Sequence, residues 1–227
     1  MNLKPMLNAY PDSLGGTLGD IVTLLKQDDM KGVFGSFYIL PSLYHSDLDR
    51  GFSVIDYDIN EELAERDDLE ALKEVGIDLK LDFILNHASA QSPQFKDLVE
   101  KGDASEYKNF FIDWNAFWEG YGSMTEEGYI QPDETYIKDM FFRKPGLPIL
   151  MVQFPGWNQN DHIGIHFTRK SIIHSIWGQM DLDIRSGKVM GFYRKHLQNR
   201  FLWRKYCAGW MHFAYAPKGS WTEKFSE

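Results

Sequence analysis

The chain has 227 residues, with 24 Lys and Arg against 33 Asp and Glu, a net charge of −9; acidity of that size disfavours nucleic acid and anionic membranes as partners. A mean hydropathy of −0.40 and the lack of any run of about 18 apolar residues exclude a membrane-spanning helix. The single cysteine, Cys207, excludes an internal disulfide and a multi-cysteine metal site, and the N-terminal stretch lacks a signal-peptide pattern, so a cytoplasmic protein is expected.

In chain order, MLNAY at 6–10 is a short apolar run ended by Pro11, the pattern of a buried strand. TLGDIVTLLK at 17–26 reads as an amphipathic helix with Ile21, Leu24 and Leu25 on one side. VFGSFYIL at 33–40 is a second apolar strand, stopped by Pro41 and followed by an Asp-rich loop over 41–58. Asp67 with Glu70 has the spacing of a capping box, Leu69, Leu72 and Val75 give the helix its buried stripe, and Gly76 suits its C-terminal cap. IDLKLDFIL at 77–85 is a third strand, running into Asn86 and His87. Strand, helix, strand, helix, strand predicts an α/β fold of parallel βα units with right-handed crossovers.

Beyond His87 the regular alternation weakens. Residues 89–160 hold a helical piece, QFKDLVEKG, among many Gly and Pro, and predict a long insertion rather than another βα unit. A helix is expected within 186–206, on Val189, Phe192, Tyr193 and Leu197. Residues 185–218 carry eight Lys and Arg and no Asp or Glu.

Function in parallel βα folds gathers at the carboxyl ends of the strands. Two such ends carry polar residues here: Asp82 to His87 after the third strand, and Asp47, Asp49, Arg50, Gly51 and Phe52 after the second. A carboxylate can grip two vicinal sugar hydroxyls, a histidine can donate to another, and a phenyl ring offers a flat apolar face. The bland alternative pairs Asp82 with structural donors, makes Asn86 a turn cap and leaves Asp49 solvated. His162 and His166 have metal-ligand spacing, but Ile163, Gly164 and Ile165 argue against the helix that would align them, so no metal is expected. No GxGxxG, GxxxxGK[ST] or GxSxG pattern occurs.

Several segments carry a resemblance. Asp82-Phe83-Ile84-Leu85-Asn86-His87 resembles the first signature motif of the α-amylase superfamily. ILPSLYHSDLDRGFSVIDYD at 39–58 resembles its sucrose phosphorylase branch. So do QSPQFKDLVEKGDASEYKNFFIDW at 91–114, MTEEGYIQPDETYIKDMFFRKPGLPIL at 124–150 and GQMDLDI at 178–184. The resemblance implies the N-terminal part of a (β/α)8 TIM barrel, about three to four βα units, with a B domain inserted after the third strand and the barrel incomplete. It divides the chain into first barrel units at 1–88, a B-domain-like insertion at 89–180, and a remnant of the helix and fourth strand with a divergent tail at 181–227.

The implied reaction is retaining transfer of glucose from an α-glucoside such as sucrose to phosphate, with no cofactor. By position, Asp49 and His87 would hold the glucosyl hydroxyls, Phe52 would form an apolar platform, and Gln179 would also reach the site. The alternatives are an α-glucosidase or α-amylase-type hydrolase of the same superfamily, or a non-catalytic sugar-binding fragment.

The resemblance breaks where the nucleophile is expected. The branch's Arg-Leu-Asp-Ala-Phe-Ala-Tyr-Ala aligns with Gly209 to Ala216, so Met211 stands where the attacking Asp would be and Gly209 where the Arg would be. A thioether cannot form the glycosyl ester, so this chain is expected to supply no catalytic residue and to be inactive and marginally stable. Arg-Leu-Asp written CGG CTG GAT G reads, one base on, as GGC TGG ATG, which is Gly-Trp-Met. A frameshift ahead of Gly209, restored near Phe213 and lost after Lys218, is the expected cause; a divergent, truncated protein is the competing reading.

Overall fold

The computed structural model describes residues 4–113, 119–124, 129–137, 147–152, 163–166, 179–197 and 207–214. The elements run β1 (Met6–Ala9), α1 (Leu18–Leu25), β2 (Ser36–Ile39), β3 (Tyr44–Leu48), β4 (Ser53–Ile59), α2 (Arg66–Glu74) and β5 (Asp78–Ile84). They continue with β6 (His87–Ser89), α3 (Pro93–Lys101), β7 (Gly122–Met124), β8 (Tyr129–Pro132), α4 (Glu134–Ile137), β9 (Leu147–Val152), β10 (Ile163–His166) and β11 (Gln179–Asp181). Last come α5 (Gly187–Leu197) and β12 (Cys207–Ala214). The chain forms two compact units, Met1–Asn86 with Gly191–Glu227, and His87–Met190.

The first unit is built on a four-stranded sheet, β1-β2-β5-β12, parallel throughout. Register explains its sidedness, because partners in a ladder share a face and successive residues alternate. Leu79 pairs with Phe37 and Leu81 with Ile39; these four and Phe83 are all buried. Leu18, Ile21 and Leu25 of α1 and Leu69 and Leu72 of α2 are buried with them. Each such side chain contributes about 1.5–3 kcal/mol by leaving water. The other face pairs Met6 with Ser36 and Asn8 with Tyr38, and Tyr38 in turn with Lys80.

Local chemistry fixes the helix ends. The Asp20 carboxylate accepts from the backbone N–H groups of Gly16 and Thr17, at 2.7 and 3.0 Å, which starts α1. At α2 the capping pair differs from the expected Asp67 and Glu70: Glu65 is the N-cap, and the Asp68 carboxylate accepts its N–H at 2.8 Å. The motif slides back two residues because Asp, like Glu, reaches back from the third helical position. The helix ends as expected at Gly76, whose φ of +79° suits a residue without a Cβ. Its N–H meets the Lys73 carbonyl while Ile77 N–H meets that of Leu72, the Schellman arrangement.

The stretch 41–58 is not an irregular loop but holds the antiparallel hairpin β3–β4, with Val54, Tyr57 and Ile59 buried. Tyr57 joins it to the sheet: its hydroxyl donates to the Ile84 carbonyl and accepts from the Ile84 N–H, both at 3.0 Å. Its ring lies 4.6 Å from that of Phe83 and 5.1 Å from that of Tyr44. Tyr193 of α5 donates its hydroxyl to the Leu85 carbonyl, so the end of β5 is braced by two tyrosines. The helix expected within 186–206 covers Gly187–Leu197; residues 198–206 lie outside the described set.

The second unit has an antiparallel sheet, β10-β9-β8-β7, and a two-stranded ribbon of β6 with β11. Its core gathers Phe95, Leu98, Phe110, Phe111, Met180 and Leu182. Phe95 and Phe111 meet edge to face at 5.2 Å. Among the described residues, no helix is long and apolar enough to cross a membrane.

Candidate functional site

The carboxyl end of the parallel sheet is where the sequence concentrates its polar residues, and the turn Asp49–Gly51 lies in the hairpin that follows β2. Its backbone is unusual. Asp49, Arg50 and Gly51 have φ of 54°, 50° and 104° in succession. For the two non-glycine residues the left-handed region costs on the order of 1 kcal/mol each. Such strain is held only where surrounding contacts over-determine it.

Those contacts can be named. A Cβ at Gly51 would come within 2.1 Å of the Ser42 nitrogen, so only glycine lets the turn lie against the backbone that ends β2. The Arg50 guanidinium donates to Asp12 at 3.0 Å and sits 4.1 Å from the centre of the Tyr10 ring, both in the segment after β1. The turn is thus fastened to the segments leaving the first two strands. Asp49 is exposed on it, and Phe52, half-buried, follows directly.

Two of the polar residues noted at the strand ends, Asp47 and Asn86, gain weight from their surroundings. Both carboxylate oxygens of Asp47 and the Oδ1 of Asn86 are buried, with no hydrogen-bond partner among the described residues. Asp47 looks like any member of an Asp-rich loop in one dimension; only burial distinguishes it. Buried acceptors of this kind call for donors, which a polyhydroxyl ligand supplies.

His87 and Gln179 belong to the second unit, on its β6–β11 ribbon. His87 pairs with Asp181, and Ser89 with Gln179. Alternation puts these four on one face, while Ala88 and Met180 are buried on the other. Part of Asp181 reaches solvent, yet its carboxyl is packed among protein atoms, and that burial pushes it up to about 7. The ribbon therefore presents a histidine, an amide and a carboxyl near its titration point in one row.

Other candidates dissolve into ion pairs or fall outside the described set. A shallow groove of the second unit is lined by Glu106, Lys108, Asp183, Arg185 and Lys188, but Lys188 pairs with Glu106 at 2.9 Å and Arg185 with Asp183 at 2.8 Å. His166 lies in strand β10, not on a helix, and His162 is outside the described residues. Among the described residues no group of three or more His, Cys, Asp or Glu could hold a metal. In β12 the register sets Met211 beside Leu81 and His212 beside Asp82, with an irregularity between Cys207 and Met211.

No family model matches the chain. It is 49% identical over 195 residues to the sucrose 6(F)-phosphate phosphorylase of Ilumatobacter coccineus, covering 85% of this chain and 37% of that protein. It is 30% identical over 201 residues to the sucrose phosphorylase of Streptococcus mutans, covering 86% of this chain and 37% of the relative. The crystal structure of sucrose 6F-phosphate phosphorylase from Thermoanaerobacter thermosaccharolyticum superposes with a TM-score of 0.68 at 29% identity, over 86% of this chain and 36% of that one. The chain spans little more than a third of the length of these relatives, at their N-terminal side. Structural neighbours are (β/α)8-barrel enzymes, and the described strands here form no closed barrel. The chain belongs to the sucrose phosphorylase branch of the α-amylase superfamily and corresponds to the N-terminal part of its members.

Proposed function

We propose that this chain carries the glucose-recognising portion of a retaining glucosyl-transfer enzyme that takes an α-glucoside such as sucrose and passes glucose to phosphate. Asp49 and Phe52 in the first unit, and His87 and Gln179 in the second, are the residues proposed to recognise the glucosyl group. Asp49 accepts hydrogen bonds from neighbouring hydroxyls, Phe52 offers its ring face to the C–H side of the sugar, and His87 and Gln179 exchange further hydrogen bonds. Residues 89–180 are proposed to be the lobe inserted between barrel units.

The observation that supports this reading best is the fastened turn. Asp49 and Arg50, both in the left-handed region, and a glycine whose place no side chain fits fix the turn that carries Asp49. Rigid placement of a binding group lowers the entropic cost of recognition.

Transfer itself needs an attacking carboxylate. Residues 185–218, which include β12, contain none, so the chain by itself is proposed to bind without turnover. Titration calorimetry with glucose, sucrose and sucrose phosphate tests the binding. Heat from at least one sugar, reduced about tenfold in affinity by Asp49→Ala, is expected. No heat from a chain shown to be folded by circular dichroism defeats the reading, and sucrose-dependent phosphate consumption defeats the claim of inactivity. Heat without any effect of Asp49→Ala would favour a sugar-binding surface elsewhere.

A further inference from the structure

We infer that Asp181 is a positioning residue for sugar recognition: directly across the ribbon from His87, its carboxyl group holds the imidazole so that the far ring nitrogen is turned to the glucosyl group. This rests on the reading that His87 contacts that group, and adds what orients the ring. An unheld imidazole rotates and exchanges its proton between Nδ1 and Nε2, and the bond that one nitrogen makes decides what the other can do. A recognising histidine therefore needs a partner behind it as much as a ligand in front.

The ribbon supplies that partner at close range. On the side away from β6, β11 meets residues 110–112. The Ile112 N–H donates to the Asp181 carbonyl and the Asp183 N–H to the Phe110 carbonyl, both at 3.0 Å, around a bridge of Phe111 with Leu182. The Asp181 carbonyl is thus turned away from β6, which makes His87 and Asp181 a non-hydrogen-bonded pair of the antiparallel ladder. In such pairs the Cα atoms stand about 4.5 Å apart and the side chains are at their closest. A carboxyl group and an imidazole at that spacing reach one another.

Both halves of the pair are held firmly. Beside β11, Phe110 and Phe111 are buried and meet edge to face at 5.1 Å. β6 ends at Ser89, whose hydroxyl accepts the Gln91 N–H at 2.8 Å and whose carbonyl accepts the Ser92 N–H at 2.9 Å. The other charged side chains on these segments are Asp183, two residues along, which Arg185 engages at 2.8 Å, and Asp113, one residue beyond Ile112. His87 is the base that faces Asp181 across the ribbon. Burial lifts the Asp181 carboxyl to about 7, so its ionised form gains from a nearby N–H donor. Above that point the carboxylate accepts the near ring N–H, and the far nitrogen offers its lone pair to a sugar hydroxyl.

Nitrogen-15 NMR of the full 227-residue chain and calorimetry with glucose and sucrose, both at pH 8, test this. The His87 ring is expected in a single neutral tautomer in the parent and in mixed tautomers in Asp181→Leu, a change close in shape and suited to a buried position. Sugar affinity is expected to fall about tenfold in Asp181→Leu. The double variant with His87→Ala is expected to lose no more than His87→Ala alone, because Asp181 acts through His87; a packing role alone would make the two losses add. Should Asp181→Leu fail to keep the parent's far-ultraviolet spectrum, Asp181→Ala takes its place with the same expected outcomes. Mixed tautomers in the parent, a tautomer unchanged when the carboxyl is removed, or additive losses each overturn the inference and leave sugar recognition standing. A folded chain that gives no heat with either sugar defeats recognition itself, and this inference with it.

Discussion

His45 shows how one side chain can gather opposing influences. Its Nδ1 lies 2.8 Å from the Asp56 carboxylate and its Nε2 3.1 Å from that of Glu61. Burial disfavours the imidazolium, but the two carboxylates outweigh it together and raise its pKa above the ordinary histidine value. A raised histidine supports the folded state fully below its unfolded pKa, and that support fades as pH climbs through the folded one. The gain is discounted by water, since about a third of the side chain is exposed. A proton NMR titration is expected to place the His45 midpoint above about 6.5, and Asp56→Asn to bring it down; a midpoint below that value refutes the clamp. Neither partner was legible in the sequence, because Asp56 and Glu61 reach His45 only through the β3–β4 hairpin and the turn after it. The Asp-x-Gly-Phe spacing of Asp49 to Phe52 was visible as a motif, and the structure builds the turn Asp49–Gly51 on it.

The ribbon of β6 with β11 makes a similar point about paired strands. The residues between which it forms are about ninety positions apart, so no local pattern announces that His87 pairs with Asp181. The parallel strands β1, β2 and β5 were readable because each is a short apolar run with its own stop signal, whereas β3 and β4 alternate polar and apolar residues and read as loop. The ribbon also has a measurable cost. Asp181 is held up to about 7 by burial, well above the ordinary value of about 3.9. The folded state therefore binds more protons than the unfolded one between about pH 4 and 7. Stability is expected to fall across that window as pH rises, by up to about 1.4 kcal/mol for each unit. Urea denaturation at pH 5 and pH 8 compares the two states. Asp181→Asn is expected to flatten the difference, and an unchanged pH slope in that variant would show that Asp181 is not its source.

On the proposed reading the chain carries glucose-recognising residues without the attacking group, and that separation is testable. In retaining transfer, one carboxylate must attack the anomeric carbon while a second carboxyl group protonates the leaving oxygen, the two about 5 Å apart. The first would have to come from β12, and Cys207–Ala214 has no acidic residue in any register. Neither the alignment that sets Met211 at the nucleophile position nor the pairing that puts His212 beside Asp82 changes this. A methionine sulfur offers no route to an acylal-type glucosyl ester, and a histidine there would give a different, nitrogen-linked adduct. On the proposed reading this chain is thus expected to bind sugar yet accumulate no ester-linked glucosyl-enzyme. Intact-protein mass spectrometry after mixing with an activated glucosyl fluoride reads this directly, with the intact relative as the positive control. A mass gain of one glucosyl unit on this chain, released by mild base as an ester is, would mean that a carboxylate outside β12 performs the attack.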